Sequence, residues 1–259
     1  MKITRVGLDI AKEVFEVHGV NEHGKLEVRR QLRRAHVLEF FANLEACVIG
    51  METGSGAHYW ARELQKLGHT VRLMAPRFVK PYRKNDKSDR NDAEAICEAV
   101  GRPNMRFVAV KSEEQQVVLS VHRLYAGLKS ERDALANRLR GLLCEFGIVL
   151  PKGLVRLRSG LAAVISQERL PVLMNQMLAD GLKRLRELDE QVNQHERQIR
   201  VLARQSEPAR RLMDARGIGP MTATAALATI GDAKLFKNGR AVTAWLGMVP
   251  HHNGTGGKI

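Results

Sequence analysis

Cysteine is scarce, and its placement excludes more than its number. Cys47, Cys97 and Cys144 are the three in 259 residues, and they lie far apart. No Cys-x-x-Cys or Cys/His spacing occurs, which argues against a structural zinc site. Cys47 and Cys97 sit among apolar residues and read as reduced core thiols. No apolar run approaches the roughly 20 residues that cross a bilayer. Met1-Lys2-Ile3-Thr4-Arg5 leads straight into an alternating strand, so no secretory leader is expected and the chain reads as cytoplasmic. No internal repeat or low-complexity segment stands out. Acids are the minority charge: 28 Asp and Glu against 42 Lys and Arg, a net +14. Such a surplus suits a polyanionic partner, most simply nucleic acid, although an unrelated basic enzyme would share it.

The acids are few, but four of them are placed. Ser88 reads as a helix N-cap before Asn91, Asp92, Ala93, Ala95 and Ile96. Asp89 and Asp92, three residues apart, then share one side of the first turn. The helix N-terminus offsets part of their repulsion, and a hard divalent cation would offset more. A solvated acid-rich turn would show the same local pattern. Upstream, Ile3–Ile10 is a strand ending at Asp9, followed by strands Val14–Val20 and Lys25–Leu32 in an antiparallel meander. After a helix over 35–44, the wholly apolar run Cys47–Glu52 reads as a buried parallel strand ending at Glu52. A helix over 57–67, a strand Thr70–Met74 and a short helix opened by Pro76, carrying Arg77, Lys80, Arg83 and Lys84, complete the series. This is the element order of a ribonuclease H-like fold, in which the first and fourth strands are neighbours. Asp9 and Glu52 would then meet, and the later helix would deliver Asp89 and Asp92 to the same edge. Four converging carboxylates are costly unless they hold cations. Mg²⁺ or Mn²⁺ fits the oxygen donors, and two such ions can clamp a phosphodiester's attacking and leaving oxygens.

Phe107–Val110 is a short extended exit from this region. A helix over 112–146 repeats Val117, Val121, Leu124, Leu128, Leu135, Leu139, Leu142 and Phe146 at nearly unbroken heptad spacing. A less legible stretch follows to Val172. A second helix over 173–203 has the seam Leu185, Leu188, Val192, His195, Ile199 and Leu202, with His195 as a polar registry residue. An intramolecular hairpin and a coiled coil joining protomers both satisfy these seams. Arg123, Lys129, Arg132, Arg138, Arg140, Lys183 and Arg184 recur along them. From Pro208, Leu212–Ala223 resembles a helix–hairpin–helix: Gly217 and Gly219 permit the turn, and Pro220 suits the next helix's start. Arg210, Arg211, Arg216 and Thr222 flank it, and its backbone N–H groups would take phosphates. The expected organisation is therefore α/β followed by α: residues 1–110 a mixed-sheet domain, 111–207 a long helical region, and 208–259 a small helical C-terminal part.

Val6-Gly7-Leu8-Asp9-Ile10-Ala11-Lys12, Met51-Glu52, Lys87-Ser88-Asp89-Arg90-Asn91-Asp92-Ala93 and the stretch from Gly247 to Lys258 together resemble the DEDD insertion-sequence transposases. That family is related to the Piv DNA invertase and is known as bridge-RNA-guided recombinases. The resemblance covers essentially the whole chain. It implies a RuvC-like N-terminal domain, a coiled-coil middle and a C-terminal domain bearing a nucleophilic serine. It places Asp9, Glu52, Asp89 and Asp92 at the four acidic, Mg²⁺-binding positions, with DNA, a structured guide RNA and further copies of the chain, as a dimer or tetramer, as partners. Two departures stand out. The family's serine falls on Thr255, beside Lys258, and the family continues past Ile259, so the chain looks like a shortened member with little adduct chemistry expected. A metal-dependent Holliday-junction nuclease using the acids alone is the enzymatic alternative. A DNA- or RNA-binding remnant is the non-enzymatic one.

Overall fold

Alternating apolar residues set the meander, and two glycines set the helix that lies on it. The computed structural model describes residues 2–83 and 89–248, Asp89 and Leu235 through their backbones alone. The Ser88 cap, Thr255 and Lys258 lie outside the described residues. Strands β1 (Arg5–Ile10), β2 (Val14–Val20), β3 (Leu26–Arg33), β4 (Val48–Glu52), β5 (Thr70–Met74) and β6 (Phe107–Val108) form one sheet in the order β3-β2-β1-β4-β5-β6. β1 to β3 pair antiparallel, β4 and β5 continue the sheet in parallel, and β6 closes it antiparallel. The short exit segment expected at 107–110 is thus the sixth strand. β1 and β4 are adjacent, as the expected order requires.

One sheet face carries the main core. Val6, Leu8, Phe15, Val17, Ile49, Met51, Val71 and Leu73 pack beneath α1 (Val37–Ala42) and α2 (Ala57–Lys66) through Phe41, Trp60 and Leu64. Phe15 and Trp60 meet edge-to-face with ring centroids 5.0 Å apart. Each such side chain contributes about 1.5–3 kcal/mol of burial free energy. The other face carries α3 (Pro76–Val79) and α4 (Asp89–Val100), packed through Met74, Val79, Ala95, Ile96, Ala99 and Val100.

The second compact unit is Glu113–Gly231. It holds α5 (Glu113–Cys144), α6 (Leu154–Ser166), α7 (Val172–Gln205), α8 (Glu207–Met213) and α9 (Pro220–Ile230). The stretch that periodicity left unassigned is α6, whose Leu157 and Leu161 join Ala136, Leu139, Leu143, Leu178, Leu182 and Leu185 in one core. The α7 seam is buried at Leu185, Leu188, Val192 and Ile199 as expected. The α5 seam differs. Val117 and Leu124 are 59% and 57% exposed. The buried stripe shifts to Ala136, Leu139 and Leu143, where α6 supplies a second wall. α8 and α9 pack on these helices within the same unit, past the expected division at 207. The last described helix, α10 (Gly239–Trp245), stacks Trp245 edge-to-face on Phe236.

Candidate active site

Gly7 and Gly50 decide where α4 lies. A Cβ on Gly7 would stand 2.1 Å from the Ala93 carbonyl oxygen and 2.5 Å from the Cys97 nitrogen. A Cβ on Gly50 would stand 2.7 Å from Val100 Cβ. The helix therefore rests its backbone directly on β1 at Gly7 and its Val100 side chain on β4 at Gly50. Strand residues two apart share a face, so Asp9 and Glu52 lie on the α4 side. β1 and β4 are parallel, with Leu8 opposite Met51. Asp9 and Glu52 are the next residue on each, at adjoining carboxyl ends. The Arg5 guanidinium crowds Gly101, just past the end of α4, whereas Ala93 sits over Gly7. The helix thus runs opposite to β1, and its first turn, with Asp89 and Asp92, comes to the Asp9 end.

The four predicted positions are consequently brought to one edge by backbone geometry. Among the described residues, no three His, Cys, Asp or Glu stand close enough together to hold one ion, and the Asp89 side chain lies outside those residues. The Asp92 carboxylate is buried, and its Oδ1 is in ion-pair contact with Arg83 Nε. Two neighbours were not legible in the sequence. Glu16 lies directly opposite Asp9 across the β1–β2 ladder, where Gln31 Nε2 donates to Glu16 Oε1 at 2.8 Å. Arg83 reaches Asp92 from a 3₁₀ turn nine residues upstream. Both depend on register and packing that no local motif encodes.

The core thiols are as expected. Burial, with Cys97 nearby, pushes the Cys47 thiol up to about 11, and burial raises that of Cys97 as well. Both favour the unreactive protonated form at neutral pH. His69 bridges Cys47 and Phe41: its Nδ1 accepts the Cys47 N–H at 3.3 Å, and its Nε2 donates to the Phe41 carbonyl at 2.9 Å.

The basic residues of the helical unit divide into two groups. Arg123, Lys129, Arg138, Lys183, Arg210 and Arg216 are exposed. Arg132 is not available in the same way. It is 14% exposed and shares Asp189, 15% exposed, with Arg158 from α6. Arg140 donates to the Gly153 carbonyl at 3.0 Å, and Arg184 pairs with Glu131 and Glu187. Between α8 and α9, Gly217 takes φ 89°, which a side chain would strain. Gly219 leaves the N-terminus of α9 without a side-chain cap. Arg216, Gly217 and Thr222 are exposed there. His122 on α5 anchors the helix: its Nε2 and Thr224 Oγ1 are 2.9 Å apart, and Thr224 donates to the Pro220 carbonyl at 2.7 Å.

An α/β unit with an acid-bearing sheet edge and a helical unit with an exposed basic surface both suit enzymes that process nucleic acid, and comparison with known proteins agrees. Residues 6–148 match a transposase family of the DEDD, IS110 type, and residues 209–259 match the transposase IS116/IS110/IS902 family. A "Probable family 20 transposase" of Pseudomonas aeruginosa is 49% identical over 261 residues, covering 100% of this chain and 77% of that protein. The transposase for insertion sequence element IS1328 of Yersinia enterocolitica is 36% identical, over 99% of this chain and 76% of its own length. The transposase for insertion sequence element IS1111A of Coxiella burnetii is 35% identical, over 98% and 70%. The chain belongs to the IS110-type insertion-sequence transposases, a class of DNA-processing enzymes. Among the described residues, no helix is long and apolar enough to cross a membrane.

Proposed function

We propose that this chain catalyses DNA strand exchange at a RuvC-like site in which Asp9, Glu52, Asp89 and Asp92 hold Mg²⁺ or Mn²⁺. The observation that supports it most is the position of Asp9 and Glu52 on adjoining strand ends, beneath the first turn of α4. The donor set is all carboxylate oxygen, which suits a hard cation. Such an ion, when bound, stabilises charge on the attacking and leaving oxygens of a phosphodiester. The positive end of the α4 dipole favours the same charge.

Thr255, in the family's serine position, supplies the hydroxyl in this reading. Its oxygen bonds to phosphorus as one bridging P–O bond breaks; a base takes the hydroxyl proton, and the departing oxygen gains one. The helical unit grips nucleic acid through the exposed Arg123, Lys129, Arg138, Lys183, Arg210 and Arg216. The Gly217–Gly219 turn, read as a helix–hairpin–helix, presents the open N–H groups of α9 to phosphate beside Thr222, and Lys258 adds a cation in the C-terminal segment. In this reading the exposed part of the α5 coiled-coil seam, Val117 and Leu124, joins protomers into a dimer or tetramer, since the α7 seam is already buried within the chain. A structured RNA guides target choice, as the family resemblance implies.

The test uses the full chain with its co-purifying RNA, cognate DNA and Mg²⁺, resolved on a denaturing gel. Recombinant product and covalent adduct, the latter expected to be slight with Thr255 in the serine position, should require Mg²⁺. Both should disappear in Asp9→Asn and Glu52→Gln, and the adduct in Thr255→Ala. Metal-dependent cleavage of branched DNA without an adduct would replace strand exchange with a resolvase. Binding with neither cleavage nor adduct would leave a non-catalytic nucleic-acid binder.

A further inference from the structure

The contact between Arg83 and Asp92 carries an inference that rests on the metal-site reading above. Asp92 is only 8% exposed. Burying a charged group is costly unless an opposite charge meets it. Among the described residues, the cation that Asp92 meets is the Arg83 guanidinium, which cannot release its charge by deprotonating. The pairing is Coulombic rather than a fitted fork. Among the described residues, neither Arg83 Nε nor Asp92 Oδ1 completes an aligned hydrogen bond. A guanidinium fits a carboxylate far better when two N–H groups meet two oxygens in parallel. Here the geometry supplies charge without that fit.

The backbone that carries Arg83 is held by packing, while part of its side chain is open to solvent. Val79 is fully buried against Ile96, Ala99 and Val100 of α4. Tyr82 packs in the same cluster and lies under the Arg102 guanidinium, 5.5 Å from ring centroid to Cζ. The Arg83 N–H closes the turn onto the Lys80 carbonyl at 3.2 Å. Arg83 itself is extended, at φ −73° and ψ 118°, and part of its side chain reaches solvent. A change of side-chain rotamer alone would therefore withdraw the guanidinium.

We propose that Arg83 is a built-in counter-ion that competes with the divalent metal for Asp92. It neutralises the buried carboxylate in the metal-free protein, and it must swing away before Asp92 can act as a ligand. An oxygen cannot bind a divalent ion at about 2.0–2.1 Å while a guanidinium occupies the same side. Metal loading and release of Arg83 are one event. The freed guanidinium joins Arg77 and Lys80 on the same short segment, where a phosphate would meet it.

The sign of one measurement separates competition from simple support. Mn²⁺ binding to the full-length protein is followed by electron paramagnetic resonance for wild type, Arg83→Met and Arg83→Lys. Competition predicts that Arg83→Met binds Mn²⁺ more tightly by about tenfold or more, the scale on which a neighbouring cation shifts a carboxylate's proton affinity. Arg83→Lys should stay near wild type. A guanidinium that merely props Asp92 in place predicts weaker or unchanged binding in Arg83→Met, and that result would overturn the proposal. A second readout needs no variant: Mn²⁺ should accelerate modification of Arg83 by phenylglyoxal in wild type, and an unchanged or slower rate would refute the exchange. Mn²⁺ binding that ignores Asp9→Asn and Asp92→Asn in every background would instead overturn the metal-site reading itself.

Discussion

Replacing Gly7 with alanine adds one methyl group where the fold has no room for it. That carbon would stand 2.1 Å from the Ala93 carbonyl oxygen, 2.5 Å from the Cys97 nitrogen and 2.8 Å from Cys97 Cβ. Two of those three atoms are backbone of α4, so no rotamer change relieves the overlap. Ordinary carbon contacts begin near 3.5 Å, so the helix must lift from β1 by about 1 Å. Overpacking of this kind costs about 1–3 kcal/mol and occasionally more; with rigid backbone as the obstacle, about 3 kcal/mol is expected. Urea unfolding can read it through Trp60, buried on α2, in a Trp245→Phe background that silences the other tryptophan. At a slope of about 1–3 kcal/mol per molar urea, the midpoint should fall by about 1–3 M. The same lift separates the first turn of α4 from Asp9, and a misplacement of about 1 Å costs on the order of 10²-fold in catalysis. Gly7→Ala with a midpoint within about 0.3 M of the parent would show that α4 does not rest on Gly7, and the placement of Asp92 beside Asp9 would fall with it.

The helical unit separates binding from folding residues. Removing the exposed Arg123 or Arg138 should lower the slope of log affinity against log salt by about 0.9 per lost duplex phosphate contact, measured by fluorescence anisotropy. Arg132→Ala should leave that slope intact. Asp189→Asn removes the carboxylate that Arg132 and Arg158 share; Arg132 keeps Asp133, while Arg158 loses its half-buried partner, and the unit should be destabilised by on the order of 3 kcal/mol in denaturant unfolding. Cys47 makes stability fall in alkali. Its folded value, about 11, lies above the ordinary value near 9. The contribution is therefore full below pH 9 and lost as pH rises towards 11, on the order of 2–3 kcal/mol; Cys47→Ala should flatten that part of the stability curve. His122 acts in the opposite sense. Burial lowers its pKa below the ordinary value, so its contribution is present above about pH 6.5 and lost as pH falls. Amide protection factors in α9, corrected for the intrinsic slowing of exchange in acid, should fall on acidification, and less so in His122→Gln.

Strand and helix types, and the acids that end β1 and β4, were legible from local pattern alone. Period-two alternation and the apolar run at 47–52 require strands wherever they occur in the chain. The order of elements then fixes which strands are neighbours. Helix α6 was not legible, because its buried Leu157 and Leu161 find their partners on α5 and α7 rather than in their own sequence pattern. The α5 heptads misled for the same reason: spacing describes a stripe, and only packing decides which part of it has a wall to meet. Charge behaves likewise. The sequence counts Arg132 with Arg123 and Arg138, but the fold spends Arg132 on Asp189 and leaves the other two to solvent. At the acidic edge the sequence named the carboxylates, since a strand end and a helix start are local features. Tertiary structure decided what each one faces. Glu16 stands opposite Asp9 through strand register, and Arg83 stands on Asp92 through the packing of Val79 and Tyr82. Side-chain partners across space are set by which surfaces exclude water together, and linear order does not record that.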